Sequence, residues 1–324
     1  MISAVFNSSP WISPKPRAMK YIYLTARSEP ERALIEAELL SFAGVRPDEK
    51  GVGISEVKTD ISNAAYVKVG AEILAEAPDL DGLEAEVASK GIEAEGFAIR
   101  VERLTENLKL RSTEIAARLA DAIRGRPNLS DPKVKLLAVL TDDRAYLGRI
   151  FSEYTKGWLR LSKKPYTTSS SLPHRLARLM INLSGVRPPA KLVDPCCGAG
   201  TILLEGADMG YEVTGYDINY KMCQASRKNL SYFGLKGEVI QADARFIEGE
   251  FDLLVTDLPY GRNMAADERL YDELISNFVN LSPVAVIVTA RDISELFIKH
   301  GYRSVDVLPS PKSWFTRYIH VARL

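Results

Sequence analysis

Four short apolar segments in the second half of the sequence each end in an aspartate, at Asp194, Asp217, Asp243 and Asp257. From Lys191 onward, patterns of strand, loop and helix repeat several times. Short strands that alternate with helices are typical of a parallel, doubly wound sheet, in which ligands bind beyond the carboxyl ends of the strands. One aspartate after a strand is usually a helix cap. Four of them at the same edge of one sheet predict a ligand site.

Three more apolar segments, VAVIVTA, SVDVL and RYIHVARL, follow the last of these aspartates. Together the seven segments predict a mostly parallel, seven-stranded α/β sheet within residues 172–324. A helical stripe that includes Leu172, Leu176 and Leu183 precedes the first strand.

The first half of the chain mixes short strands with helices. The patterns predict strands at 21–25, 65–73 and 97–104 and helices at 30–42 and 83–89. We therefore predict an α+β, ferredoxin-like region over residues 19–105. A second region, residues 106–153, has a predicted helix at 114–123 and a hairpin with strands at 134–140 and 145–151. A basic linker, residues 154–171, follows it.

Composition indicates an ordinary globular chain in a reducing compartment. The 324 residues are 46% apolar and 26% charged, and the three cysteines are too few for a disulfide framework. They show no zinc-binding spacing with the three histidines, so we predict no metal site. No apolar run approaches the roughly 18 residues of a membrane span, and we predict a cytoplasmic protein without a membrane partner. A predicted strand begins right after Met19, which indicates that residues 1–18 are a disordered extension or that Met19 is an alternative start.

A net charge of zero conceals an acidic and a basic stretch. Residues 29–99 hold sixteen acidic and six basic side chains, whereas residues 149–191 hold nine basic side chains and one acid. The basic window also contains Tyr154, Trp158 and Tyr166, and cations interleaved with aromatic rings suit a phosphate backbone with bases nearby. A solvated surface is the other interpretation of such a run. We favour nucleic acid and predict RNA contacts at Lys156, Lys163 and Lys164.

The segment DPCCGAGT connects the first of these strands to an apolar helix through Gly198 and Gly200. Glycine lets a loop backbone approach a ligand closely. The chain lacks the third glycine of the dinucleotide fingerprint and the P-loop lysine, which disfavours NAD and nucleoside triphosphates. Asp217 is placed to accept hydrogen bonds from ribose hydroxyls, and Asp243 could accept one from an exocyclic amine. The pattern predicts an adenosine whose small charged group faces Asp194 and the Gly198 loop.

In this order, DPCCGAGT, GYDIN, QADAR and DLPYG resemble the motifs of class I S-adenosylmethionine-dependent methyltransferases, which have a Rossmann-like fold. The resemblance covers residues 172–324 and implies S-adenosyl-L-methionine as cofactor. The cofactor-binding residues that it implies are Asp194, Cys197, Gly198, Gly200, Thr201, Asp217, Ile218, Asp243 and Ala244. The chain is most similar to the branch that methylates exocyclic amines of bases, whose fourth motif is an acid or Asn followed by Pro-Pro-Tyr.

This resemblance implies that the segment DLPYG is the catalytic turn. The amine of a base is a poor nucleophile because its lone pair is delocalised into the ring. Asp257 and the carbonyl of Leu258 would accept hydrogen bonds from its two N–H groups and leave the lone pair directed at the methyl group. Pro259 would stiffen the turn, and Tyr260 would stack on a base that has left its helix. Leu258 replaces the family's usual proline, a change that keeps the backbone carbonyl.

The amino-terminal layout resembles the THUMP regions of RNA-modifying enzymes, and the whole chain resembles the archaeal and eukaryotic tRNA guanine-10 N2-methyltransferases. This resemblance implies one or two methyl additions to N2 of guanosine 10 in tRNA. The alternatives are a tRNA guanosine-6 N2-methyltransferase, another RNA or DNA amino-methyltransferase, and a catalytically silent RNA-binding module. Four intact aspartates disfavour the silent module.

Two further predictions depend on the resemblance. An antiparallel last strand would bring Lys312 and Trp314 to the base pocket as RNA contacts, although a surface hairpin covered by its own tryptophan is the other interpretation. Relatives in the family work with a small zinc-containing activator protein. The expected strand order leaves the segment GEVIQ, which begins at Gly237 and ends at Gln241, at a sheet edge where a strand of this activator could pair.

Overall fold

The computed structural model describes residues 19–169, 171–259, 264–312 and 315–324. These residues form two domains, one built on a six-stranded sheet and one on a seven-stranded sheet. The predicted extension at residues 1–18 lies outside the described residues. Within the described ranges, no helix combines the length and apolar character that crossing a bilayer requires.

The amino-terminal domain is a mixed sheet covered by helices. Its strands are β1 (Tyr21–Thr25), β2 (Val52–Ser55), β3 (Val67–Ala77), β4 (Phe97–Arg103), β5 (Val134–Leu140) and β6 (Ala145–Glu153). Its helices are α1 (Arg32–Ala43), α2 (Leu80–Lys90) and α3 (Ser112–Ala122), and a 3-10 turn at Glu29–Glu31 leads into α1. The strand order is β2-β1-β3-β6-β5-β4, in which β4 and β5 pair in parallel and the other neighbours pair antiparallel.

This sheet takes strands from both regions predicted for the first half of the chain. Strands β1 to β4 lie within residues 19–105, and β5 and β6 lie within residues 106–153. Strand β6 pairs with β3 and with β5, so the predicted boundary at residue 105 separates strands of one sheet. The β3–β6 pairing places Ala71 opposite Ile150, a relationship between distant residues that local patterns cannot predict.

The carboxyl-terminal domain has the predicted fold class, a Rossmann-like, mostly parallel sheet. Its strands are β7 (Lys191–Asp194), β8 (Glu212–Asp217), β9 (Glu238–Gln241), β10 (Leu253–Asp257), β11 (Val284–Thr289), β12 (Ser304–Lys312) and β13 (Phe315–Arg323). The helices after β6 are α4 (Gly157–Leu161), α5 (His174–Leu183), α6 (Thr201–Asp208), α7 (Tyr220–Tyr232), α8 (Met264–Leu281) and α9 (Ser294–Lys299). The order β12-β13-β11-β10-β7-β8-β9 has β13 antiparallel to both neighbours, so the predicted seven strands are confirmed.

The topology of this sheet determines where a ligand can bind. Strands β8 and β9 follow β7 on one side, whereas β10 and β11 lie on its other side. The chain therefore changes direction between β7 and β10, and the carboxyl ends of strands at such a switch point form a crevice. Apolar layers that include α5, α6 and α7 on one face and α8 and α9 on the other bury the sheet and leave this edge open.

A buried carboxylate joins the two domains. Glu38 of α1 is 0% exposed and accepts hydrogen bonds from the backbone N–H groups of Ala65 (2.7 Å), Tyr66 (2.6 Å) and Val67 (3.0 Å). The side-chain amide of Asn182, on α5 of the other domain, donates to Glu38 over 2.8 Å. Burial raises the pKa of Glu38, while the four donors oppose this by stabilising its charged form.

Other contacts extend this interdomain seam, which we define as the α1–α5 interface around Glu38. The Ser41 hydroxyl donates to the carbonyl of Asn182 over 2.7 Å. Arg175 of α5 donates to the carbonyl of Ala65 over 3.0 Å, and its guanidinium lies 3.8 Å from the ring centre of Tyr66. The seam therefore fixes the amino-terminal sheet relative to the open edge of the second sheet.

Candidate active site at the carboxyl edge of the second sheet

A cavity of about 570 Å³ lies at the carboxyl ends of the parallel strands, within the size range of small-molecule sites. All four aspartates that end the predicted strands line it: Asp194, Asp217, Asp243 and Asp257. Other predicted site residues in the lining are Cys197, Gly198, Thr201, Ile218, Ala244, Leu258 and Pro259. The sequence thus located the elements that surround one common cavity.

Two glycines shape the loop between β7 and α6. Gly198 and Gly200 have left-handed backbones, with φ of +50° and +79°. A Cβ placed on Gly198 would have no heavy atom within 4 Å, so the loop backbone is open at this point of the cavity wall. A Cβ on Gly200 would lie 2.2 Å from Oγ of Ser226 on α7. Gly200 therefore permits close packing of the loop on α7, and its contact with a ligand stays a prediction.

Asp217 connects this loop to the end of β8. One carboxylate oxygen accepts the N–H of Gly198 over 2.9 Å, and the other accepts the N–H of Asn219 over 2.8 Å. Each oxygen has a second lone pair with which to accept a ligand hydroxyl. The next residue, Ile218, is 68% exposed and lines the cavity. A carboxylate beside an exposed apolar side chain suits a ribose joined to a flat base.

Asp243 is paired with an arginine that the sequence analysis did not identify. Arg245 donates to both carboxylate oxygens of Asp243, at 2.6 Å for the closest pair, and to Glu273 of α8 over 2.9 Å. This pairing holds the pKa of Asp243 below its usual value. The motif QADAR contains the arginine two residues after the aspartate, but only the folded chain brings Glu273 to it.

Asp194 is an almost fully buried acid at the cavity floor. It is 1% exposed, accepts the Thr256 hydroxyl over 2.7 Å and accepts the N–H of Cys196 over 3.2 Å. Burial raises its pKa to about 7, and the negative charges of Asp257 and Asp217 add to the effect. A positively charged ligand group in this cavity would favour the ionised form of Asp194.

The predicted catalytic turn leaves β10 at Asp257. The N–H of Leu258 donates to the carbonyl of Val288 on β11 over 3.0 Å, and the Leu258 side chain is buried. The Tyr271 hydroxyl of α8 donates to the carbonyl of Pro259 over 3.2 Å. Contacts with a neighbouring strand and a helix therefore hold the turn on both sides of Leu258. Tyr260 lies outside the described residues.

The predicted RNA contacts differ in their surroundings. Lys156 and Lys163 are exposed, and the ammonium of Lys156 lies 5.0 Å from the ring centre of Tyr154. Lys164 is 7% exposed and donates to the Thr201 hydroxyl, so its prediction as a surface contact for RNA needs correction. Lys312 lies at the end of β12, its side chain is not described, and Trp314 lies outside the described residues.

Three arginines of the basic window contact neighbouring elements of the protein, and one of them is fully buried. Arg178 is 0% exposed and donates to Glu205 over 2.6 Å. Arg175 stacks on Tyr66, and the guanidinium of Arg187 lies 4.4 Å from the ring centre of Phe42. These arginines attach α5 and its flanking loops to neighbouring elements, which a count of charges cannot distinguish from an RNA-binding surface.

The two cysteines of DPCCGAGT are poor candidates for nucleophiles. Burial raises the pKa of both Cys196 and Cys197, and the nearby aspartates raise it further. A thiol needs a lowered pKa to react as a thiolate near neutral pH. A thiolate nucleophile is therefore disfavoured at this cavity.

Comparisons with known proteins identify the domain that carries the cavity. Residues 162–305 match the RMKL-like methyltransferase domain family (UPF0020). A tRNA (guanine(10)-N2)-dimethyltransferase of Methanothermobacter thermautotrophicus is 30% identical over 286 residues, covering 80% of this chain and 84% of that protein. A tRNA (guanine(6)-N2)-methyltransferase of Archaeoglobus fulgidus is 26% identical over 248 residues, covering 62% of each chain.

One solved structure aligns with most of this chain. The crystal structure of TrmN from Thermus thermophilus is 19% identical, with a TM-score of 0.46, and the match covers 94% of this chain and 100% of that chain. The match with the Methanothermobacter enzyme covers 80% of this chain, which is more than either domain alone. The chain belongs to the tRNA (guanine-N2) methyltransferase family.

Proposed function

We propose that this protein transfers methyl groups from S-adenosyl-L-methionine to N2 of guanosine 10 in tRNA. The observation that carries the proposal is that Asp217, with its ordered glycine loop, and Asp257, at the start of the DLPYG turn, line one cavity. Asp217 could therefore bind the cofactor in the same cavity in which Asp257 binds the substrate amine. The Methanothermobacter relative with this named activity supports the choice of nucleotide.

The residues present fit the proposed cofactor. Asp217 and Ile218 would hold the ribose and base, the open backbone at Gly198 would admit close approach, and the acidic floor suits a sulfonium cation. When bound, S-adenosylmethionine supplies an electrophilic methyl group. Arg245 would orient Asp243 toward an exocyclic amine of the cofactor's base, because it engages both oxygens of this carboxylate.

The protein's part in catalysis is to orient the substrate amine. Asp257 and the carbonyl of Leu258 would each accept a hydrogen bond from one N–H group of the amine. The nitrogen lone pair would then be directed away from the guanine ring. The contacts of Leu258 with β11 and of Pro259 with α8 keep these acceptors in place before the base arrives. Tyr260 is proposed to stack on the base.

The choice of nucleotide is tested by mass spectrometry of nucleosides from unmodified tRNA after incubation with the protein and S-adenosylmethionine. We expect N2-methylated guanosine that maps to position 10. Methylated guanosine at position 6 would favour the second candidate, which the Archaeoglobus relative supports. Methyladenosine, or no transfer despite cofactor binding, would contradict the proposed activity.

We infer a THUMP-like positioning role for the amino-terminal domain. A catalytic domain that contacts only one extruded base has little surface with which to select one nucleotide in a tRNA. The exposed Lys156 and Lys163 lie between the two sheets in the sequence and are proposed to contact the tRNA backbone. If the domain holds the acceptor end, removing the 3′-terminal nucleotides should reduce transfer steeply and leave cofactor affinity unchanged.

We also propose that β9 binds a small zinc-containing activator in the cytoplasm. Strand β9 lies at an edge of the described sheet, with Glu238 and Gln241 exposed. Arg227 of α7 donates to the carbonyl of Val239 over 2.5 Å and covers part of this edge. Full turnover by the purified chain, with no gain when the activator is added, would contradict the proposal.

A further inference from the structure

Lys164 lies behind the cavity wall, against the start of α6. Its ammonium donates to Oγ1 of Thr201, and Thr201 lines the cavity. The acid that acts on it most strongly is Glu205 of α6. Glu205 is already engaged by Nδ1 of His174 at 2.7 Å and by Arg178 at 2.6 Å. Lys164 is therefore a buried cation, and within the described residues its ammonium donates to a neutral hydroxyl.

A packing role does not account for a charge at this position. Removing an ammonium from water is costly unless a well-placed opposite charge compensates for it, and an apolar side chain of similar volume is often as stable. Because lysine can only donate, Thr201 is the acceptor of this hydrogen bond. The hydrogen of the Thr201 hydroxyl can then donate toward the cavity.

The other charges of the cavity are poorly suited to an anion. Four aspartates line it, and Arg245, which also lines it, is engaged by Asp243 and Glu273. S-adenosylmethionine has an amino-acid end with a carboxylate, which requires donors and a positive potential. The Lys164–Thr201 pair provides both beside the loop that follows β7.

We propose that Lys164 and Thr201 recognise the carboxylate of the cofactor's amino-acid end, with Thr201 as the contact and Lys164 as a positioning residue. This inference rests on the proposed function, since it takes S-adenosylmethionine as the ligand. It assigns the buried lysine of the basic window to cofactor recognition instead of RNA binding.

Calorimetric titration with two ligands tests the assignment. S-adenosylhomocysteine contains the carboxylate, whereas 5′-methylthioadenosine has the same nucleoside without the amino-acid end. Lys164→Met should weaken binding of S-adenosylhomocysteine by about 10- to 100-fold, the range for lost hydrogen bonds to a charged group, and leave 5′-methylthioadenosine unchanged. Lys164→Arg should restore most of the affinity. Lys191→Met, a change at the exposed amino end of β7, should alter neither ligand.

The outcomes separate the inference from the proposed function. Equal weakening of both ligands in Lys164→Met, or no weakening of either, would overturn the carboxylate assignment. Failure of the wild-type protein to bind either ligand would instead contradict the proposed cofactor. If Lys164→Met does not fold, Thr201→Val should show the same selective loss, and equal affinities for wild type and this variant would overturn the assignment.

Discussion

The hydroxyl of Thr256 donates to Oδ1 of Asp194 over 2.7 Å and so connects the ends of the adjacent strands β10 and β7. Asp194 is nevertheless an acid whose charged form is disfavoured by burial, with a pKa raised from 3.8 to about 7. The folded state therefore becomes less stable as this carboxyl group ionises. Binding of a cation favours the ionised form of Asp194, whereas the stability of the ligand-free protein favours the protonated form.

Asp194→Asn should stabilise the ligand-free protein near pH 8. The unfolded chain loses this proton near pH 3.8 and the folded chain near pH 7, so the folded state is progressively destabilised as the pH rises between these values. Asparagine can still accept from Thr256 and removes the charge. We expect a gain of about 1–3 kcal/mol in the free energy of unfolding, measured with urea. A gain that does not shrink as the pH falls toward 4 would contradict this account.

Asp257→Ala should abolish methyl transfer and change cofactor affinity little. The substitution removes the proposed acceptor of the substrate amine, and the loss of such an oriented group costs about 100-fold or more in rate. Transfer of radioactive methyl groups to tRNA and titration with S-adenosylhomocysteine measure the two effects. Asp252→Ala, at the other end of the β10 segment, is the matched control and should retain activity. Equal losses of transfer and of affinity would assign Asp257 to the cofactor.

Asp217→Ala should weaken every ligand that contains the ribose. S-adenosylhomocysteine and 5′-methylthioadenosine both carry the ribose hydroxyls from which Asp217 is proposed to accept hydrogen bonds. Both should therefore lose about 1–3 kcal/mol of binding free energy. This pattern differs from the selective loss expected for Lys164→Met. Unchanged affinity for both ligands would remove Asp217 from the ribose site.

The affinity for S-adenosylhomocysteine should fall as the pH rises above about 8. Burial lowers the pKa of Lys164 to about 8, so the ammonium is progressively lost above that pH in the ligand-free protein. The titratable or charged groups on the helices around it are Glu205 and Asp208 of α6, His174 and Arg178 of α5, and Arg160 of α4. In Lys164→Arg the cation persists, so the decline should be smaller. Identical pH profiles for wild type and this variant would exclude Lys164 as the titrating group.

Glu38→Ala should destabilise the protein by several kcal/mol, because each buried donor that loses its acceptor costs about 1–3 kcal/mol. Three backbone N–H groups and the Asn182 amide would lose their acceptor. Glu38→Gln keeps one acceptor oxygen and should lose less. Urea unfolding measures both variants, and equal stability of Glu38→Ala and wild type would show that the interdomain seam is held by other contacts.

Much of the second sheet follows from local sequence patterns. Each predicted strand from KLVD to RYIHVARL is present, because short apolar runs between helices have few other ways to be buried. Strand β2 is absent from the sequence prediction, since its four residues include a glycine and its stability depends on pairing with β1. The joining of the two amino-terminal regions into one sheet likewise depends on the long-range pairing of β3 with β6.

The candidate site shows the same division between local and distant information. The aspartates at strand ends could be identified because each follows its own apolar segment. The partners of Arg245 and Lys164 could not, since Glu273 lies 28 residues from Arg245 and Thr201 lies 37 residues from Lys164. A basic side chain in a sequence does not reveal whether its charge will face solvent, another side chain or a ligand.

The interdomain seam also bears on how the protein meets its substrate. Because Glu38 accepts hydrogen bonds from both domains, we expect the spacing between the amino-terminal sheet and the cleft to change little when RNA binds. Adjustment during the encounter must then come mainly from the RNA, through bending of its helical arms or extrusion of a base. A protein whose domains are held together in this way would select substrates by how readily the RNA deforms. A stiffened tRNA with an unchanged sequence should therefore be a poor substrate.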